Sequence, residues 1–289
     1  MMARRARRLP TVRSRRLGGR MRAFREAAGL DQASAAAAIG VDKTYISKFE
    51  QGRSKFSPSL LQALCDALKV PPADRGELES LAARADVPGW WQEFGDILAE
   101  PVQALIELEE DAQWLRTYEG TVIPGLLQTR AYAEAIVTAS AMHMRVDDIH
   151  RYVELRMRRQ KHFFDAGRRL TAVIGEMALR QQVGGRQVLR DQLRHVMDVI
   201  HEHDVTVQVV PFTAGAHAAL TDQFVIIEWS QESDPEAVYI DGQTSWTFHE
   251  GQAEIRRYGF VFASVQSIAL SAQNSLDLIR RTEQELSKE

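Results

Sequence analysis

The segment GLDQASAAAAIGVDKTYISKFEQG, residues 29–52, limits the possible folds more than any other part of the chain. Asp31 is a good N-cap for an alanine-rich helix over 32–39, and Gly40 stops that helix. Asp42 then caps a second helix over 43–51, with Gly52 as its stop. The small side chains Ala35 to Ala38 let the two helices pack closely, Gly40 permits a sharp turn, and Ile39, Val41 and Ile46 supply a shared core. That packing leaves Lys43, Thr44, Tyr45 and Lys48 outward on one helical face. Such donors and acceptors can reach base edges in a DNA major groove, which a core-facing helix could not do. Helix, tight turn, polar helix is the helix-turn-helix plan.

Charge points to the same end of the chain. Residues 1–86 carry 17 Lys and Arg against 9 Asp and Glu, a net +8, whereas the remainder carries 19 against 30, a net −11. A basic front joined to an acidic body implies nucleic-acid contact at one end only, with double-stranded DNA as the partner. Eight arginines and no acid lie within residues 1–20, an arm expected to stay disordered without a partner. Ser14-Arg15-Arg16-Leu17 invites an export reading, but Arg20, Arg22, Arg25 and Glu26 follow where an apolar run is required. A DNA-seeking arm, or an over-long start before Met21, fits better. The single cysteine, Cys65, excludes an internal disulfide and suits a reducing cytosol. No apolar run of about 18 residues is present, so the chain is expected to be cytoplasmic, nucleoid-associated and not in a membrane.

Periodicity extends the picture. Helices expected over 17–28, 58–69 and 74–85 complete an all-α domain of five helices within residues 1–86. Val87-Pro88-Gly89-Trp90-Trp91 marks the boundary with a second domain over 87–289. There, helices are expected over 90–98, 101–117, 127–141 and 146–165. The β-branched runs LTAVIG (170–175), VTVQVVPF (205–212), QFVIIEW (223–229) and AVYIDG (237–242) read as strands of a small sheet. Further helices over 176–182, 186–203, 251–266 and 271–287 make this an α/β or α+β domain, expected to dimerise and regulate.

The segment quoted at the outset resembles the Xre/Cro family of helix-turn-helix domains, in which a Leu-x-Gln leads through a Gly turn to Ile-Ser-x-x-Glu-x-Gly. The likeness covers roughly residues 17–85. It implies that Gln32 binds phosphate or braces the recognition helix. It puts Lys43, Thr44 and Lys48 against bases and Tyr45 on a base methyl or a sugar. Arg53, Ser54 and Lys55 would meet phosphates, and Arg25 and Glu50 would form an ion pair. LEEDAQWLRTYEGTVIPGLLQTRAYAEAI (108–136), ALRQQVGG (178–185) and VTVQVVPFTAGAHAAL (205–220) resemble the C-terminal domain of actinobacterial antitoxin-like regulators, often encoded beside a small partner protein. This second likeness runs over about 90–280 and implies no agreed biochemical activity.

Other candidate sites are weaker. His201 and His203 flank Glu202, but two residues apart on a helix they point to different sides, as surface histidines do, and no metal site is expected. Gly184-Gly185 could hold an anion, although a plain turn is the simpler reading. Trp90, Trp91, Trp114, Trp229 and Trp246 are spread too widely for one pocket and suit core or interdomain packing. Thr213, Gly215 and His217 follow a strand in an irregular loop, the best candidate for a ligand or partner contact. No P-loop, GxGxxG, GxSxG or HExxH is present, and neither an enzyme nor a cofactor is expected. The resulting expectation is a sequence-specific transcriptional regulator, dimeric on a palindromic operator. The alternative is an antitoxin-like protein whose main task is to bind a small cognate protein, with DNA autoregulation secondary.

Overall fold

The computed structural model describes residues 12–55, 57–85, 89–140, 145–229, 237–242 and 246–288. The arginines at positions 4, 5, 7 and 8 and the Val87-Pro88 part of the expected boundary lie outside the described residues. By its internal contacts the chain divides into two units, Met1–Gln92 and Glu93–Glu289.

The first unit consists of helices α1 (Val12–Ala27), α2 (Gln32–Ala38), α3 (Lys43–Glu50), α4 (Pro58–Ala67) and α5 (Pro72–Arg84). Met21, Ala35, Ile46, Phe49, Leu61 and Leu78 are among its buried core residues. Helix α1 starts at Val12 and not at residue 17, so the later part of the expected disordered arm is helical. The reason lies on α5. Arg20 reaches Asp74 at 3.0 Å and Glu77 at 2.6 Å, and Arg16 lies 3.4 Å from Glu77. Arg16 and Arg20 are one helical turn apart and both buried, and two carboxylates from across the unit balance them.

Helix ends follow from local chemistry. Gly40 adopts φ +71°, its N–H donates to Ala37 O, and the N–H of Val41 donates to Ala36 O. This is the Schellman closure, and it needs a left-handed residue at that point. Helix α4 ends with the same bond pattern around Lys69, which takes φ +52° despite its side chain.

The second unit is built on a mixed six-stranded sheet in the order β3-β2-β1-β4-β5-β6. Its strands are β1 (Trp114–Glu119), β2 (Arg169–Gly175), β3 (Val205–Val210), β4 (Phe224–Glu228), β5 (Ala237–Asp241) and β6 (Trp246–His249). β1, β2 and β3 run parallel, and β4, β5 and β6 continue antiparallel from β1. Helices α6 (Glu100–Asp111), α7 (Arg130–Ser140), α8 (Val146–Asp165), α9 (Met177–Arg180), α10 (Arg186–Glu202), α11 (Gln252–Ile268) and α12 (Ala272–Ser287) surround it. On one face Tyr118, Val173, Ile226 and Val238 pack against Ile255, Phe262 and Val265 of α11. The outer edge of β3 is closed where Ser275 Oγ accepts from Val209 N at 2.9 Å and Leu270 N donates to Val209 O at 2.8 Å.

Three expectations change. The helix expected over 101–117 ends at Asp111, and residues 114–119 form the strand at the parallel-to-antiparallel junction. The strand is fixed by a distant partner of Arg116. In the fold the Arg116 guanidinium pairs with Glu228 of β4 and lies 5.3 Å from the Trp114 ring and 5.5 Å from the Phe262 ring. A second is β6, four residues with little burial and therefore no alternation to read. The helix expected over 90–98 is a short 3-10 turn, Trp90–Phe94.

Gly18 and Gly19 give a paired test of how α1 packs on α3. A Cβ on Gly18 would fall 2.4 Å from Phe49 O and 2.6 Å from Glu50 O, whereas one on Gly19 meets nothing within 4 Å. Gly18→Ala should destabilise the helical unit by about 1–3 kcal/mol, and Gly19→Ala should stabilise it by about 0.5–1 kcal/mol. Urea denaturation followed by circular dichroism measures both, and equal effects would refute the close approach.

Candidate nucleic-acid interface

The candidate interface is the recognition helix α3 with the loop after it. Asp42 Oδ1 accepts from Tyr45 N at 3.1 Å and starts α3, while Asp31 Oδ1 accepts from Ser34 N at 2.7 Å and starts α2. That backbone bond holds the Asp31 carboxyl below its ordinary range. Ile46 and Phe49 are 1% exposed and fix the inner face of α3 against Ala35 and Ala36. Lys43, Thr44 and Lys48 are exposed on its outer side.

Orientation of α3 comes from its last turn. Glu50 is 5% exposed and Arg25 9%, and they form two parallel bonds, Nε to Oε1 at 2.6 Å and Nη2 to Oε2 at 3.1 Å. Gln32 Nε2 donates to the same Oε2 at 2.8 Å, and Arg25 Nη1 donates to Leu30 O at 2.8 Å. The Glu50 bond holds the Arg25 guanidinium charged, above its ordinary value and against the cost of burial. Gln32 is thus hydrogen-bonded to the last turn of α3.

The loop after α3 is pinned at both ends. The Tyr45 hydroxyl donates to Lys55 O, and Ser14 Oγ donates to Gly52 O at 3.0 Å. Tyr45 is therefore half-buried and engaged in holding the loop, although its ring still borders the exposed face. Arg53 and Lys55 are exposed and Ser54 half-buried, a short stretch of donors beside the helix. Sequence reasoning missed the pairs of Arg16 and Arg20 with Asp74 and Glu77. Their signal was the matched one-turn spacing on two helices, and their effect is to take two arginines out of the exposed basic surface while the net charge of the unit stays at +8.

The other candidates do not assemble into a site. His217 Nε2 lies 3.3 Å from the Tyr118 hydroxyl, with rings edge-on at 5.6 Å, so it packs against the α11 face of the sheet. Thr213 and Gly215 are exposed beside it. His201 Nδ1 approaches Met197 O at 2.5 Å and His203 stacks on Phe164 at 4.5 Å, which separates the two rings. Among the described residues no cluster of three or more His, Cys, Asp or Glu could hold a metal ion, and no helix is long and apolar enough to cross a membrane. Trp91 is 3% exposed and packs in its unit, but Trp246 is 47% exposed and belongs to neither core.

These features define a helix-turn-helix protein whose second unit is an α/β domain. Residues 16–78 match the family model of a helix-turn-helix domain. Residues 102–281, more than half of the chain, match a domain of unknown function (DUF5753), and the chain belongs to that family. Neither a curated protein nor a solved structure matches it.

The Glu50 cluster makes a definite energetic claim. Glu50→Ala strands Arg25 in a buried position and should cost about 3–5 kcal/mol. The double change with Arg25→Ala should recover part of that loss, because neither charge is then left alone. A double-mutant cycle by chemical denaturation checks this, and additive losses would mean the pair contributes nothing as a pair.

Proposed function

We propose that this chain is a sequence-specific DNA-binding transcriptional regulator that acts as a dimer on a palindromic operator and carries no enzymatic activity. The observation that carries the reading is the division of α3 into two sides, Ile46 and Phe49 buried and Lys43, Thr44 and Lys48 exposed. A helix so polar gains little from packing alone, and its free side has the chemistry of a major-groove reader. Arg53 and Lys55 add charge where backbone phosphates would run. One such unit reads only a half-site, so a two-fold dimer is the natural route to useful affinity, with the second unit as the dimerising part.

Two measurements on the full chain test this. With a preferred duplex selected from random DNA, Thr44→Ala should cost about 1–3 kcal/mol on that duplex and little on unrelated DNA. Arg53→Ala and Lys55→Ala should weaken both, each lowering the salt slope by about 1. Equal losses for Thr44→Ala on both DNAs would move Thr44 from base reading to structure. Light scattering should give a dimer, and a monomer at micromolar concentration would overturn the palindromic model.

A further inference from the structure

The sheet of the second unit has two unlike faces. Opposite the α11 face, Leu115, Thr117 and Glu119 of β1 look into a cavity of about 220 Å³. Leu170, Val225 and Tyr239 continue its floor, and Leu105, Ile123, Pro124 and Ile136 add apolar wall. Four ionic side chains line the same space: Glu109, Glu119, Arg156 and Arg159.

Those charges are costly where they are. Glu109 is 3% exposed and takes two bonds from Arg159, at 2.5 and 2.8 Å. Burial pushes the Glu109 carboxyl above its ordinary range, and Arg159 pulls against that. Arg156 Nη1 donates to Gln128 Oε1 at 2.5 Å. A Cβ placed on Gly125 would lie 3.9 Å from Arg159 Nη1 and 4.0 Å from Arg156 Nε, so both guanidinium groups flank one glycine. Purely structural burial is usually served as well by apolar side chains, so ionic groups around an open cavity are better explained by a guest.

The rim is prearranged. Gln128 Nε2 donates to Ile123 O at 2.7 Å, and Gln160 Nε2 donates to Gly125 O at 2.7 Å and Gln128 O at 2.8 Å. Gln192, fully buried, accepts from Thr129 N at 2.7 Å and donates to Leu127 O at 2.6 Å. Such a wall does not have to be ordered when a ligand arrives.

We propose that this cavity binds a small zwitterion with an apolar side chain, of the neutral α-amino-acid class. Two carboxylates and two guanidinium groups leave the cavity formally neutral, so a singly charged guest would bring an uncompensated buried charge. A zwitterion brings none. Its carboxylate suits the guanidinium pair beside Gly125, its ammonium suits Glu119, and its side chain suits the wall of Leu105, Ile123 and Tyr239. A volume below the roughly 300–1,000 Å³ of pockets for drug-sized ligands matches a guest of that size.

The test is calorimetric titration of the full chain with L-leucine and L-phenylalanine, beside phenylacetate and phenethylamine as guests with only one of the two charges. The amino acids should bind and the singly charged analogues should bind at least about tenfold more weakly, the loss of one charge-assisted bond. Arg156→Gln and Glu119→Gln should each weaken amino-acid binding by about ten- to hundredfold. Val225→Phe, which fills the cavity and keeps every charge, should abolish it with an unchanged circular dichroism spectrum. The proposal falls if neither amino acid binds, if phenylacetate binds as tightly as L-phenylalanine, or if all three variants bind like the parent. None of these readouts involves DNA, so failure here leaves the reading of α3 intact.

Discussion

The carboxylate of Glu50 is the constraint on which the helical unit depends. It lies in the last turn of α3, where the helix dipole disfavours negative charge, and it is almost wholly shielded from water. Arg25 from α1 and Gln32 from α2 converge on it, and Arg25 also holds the carbonyl of Leu30 in the turn between those helices. One acidic group thus fixes three helices and a loop. A helix as polar as α3 has only Ile46 and Phe49 to anchor it by burial, so its direction has to come from such directed bonds. The close seat of Gly18 under Phe49 O and Glu50 O belongs to the same arrangement, because a longer separation of α1 and α3 would break the two parallel bonds.

The second unit meets a different problem with similar chemistry. Its sheet is largely apolar toward α11, apart from the Arg116–Glu228 pair and His217, and mixed on the other face, which is lined by the segment 122–128 with its single 3-10 turn, Gly125–Leu127. Irregular backbone near a core leaves N–H and C=O groups to be satisfied. Gln128, Gln160 and Gln192 satisfy several of them, from the segment itself and from two helices. A rim held this way stays in place over a cavity, and an apolar rim would have tended to collapse into it. Glu109, Glu119, Arg156 and Arg159 line that space and set its electrostatic character.

Much of this was legible in the residues themselves. Asp31, Gly40, Asp42 and Gly52 act through bonds to near neighbours in the chain, so they announce α2 and α3 directly. The strands around 170–175, 205–210, 224–228 and 237–241 are β-branched and bounded by turn residues, which again is local information. Where the reading went astray, the deciding partner was distant. The first residues of β1 fall inside the helix expected over 101–117, and the partner that holds Arg116 in the strand, Glu228, lies 112 positions further along the chain. Val12 to Arg16, expected to belong to a disordered arm, are helical because the acids that balance Arg16 and Arg20, Asp74 and Glu77, sit on α5.

The sequence by itself determined a basic helix-turn-helix end, an acidic sheet-containing body and the face of α3 that is left free. Those follow from caps, turns, periodicity and charge, all of which act over a few residues. Tertiary structure alone decided which charges remain available and which are buried in pairs, since Arg20 and Lys48 are both simply basic until one meets Asp74. It alone decided that the His217 loop lies on the α11 face while the polar cavity opens on the other, lined from α6, β1, the 122–128 segment, α7, α8 and the strands β2, β4 and β5. Alternation along a strand assigns residues to two faces, but only the packed helices say what each face meets.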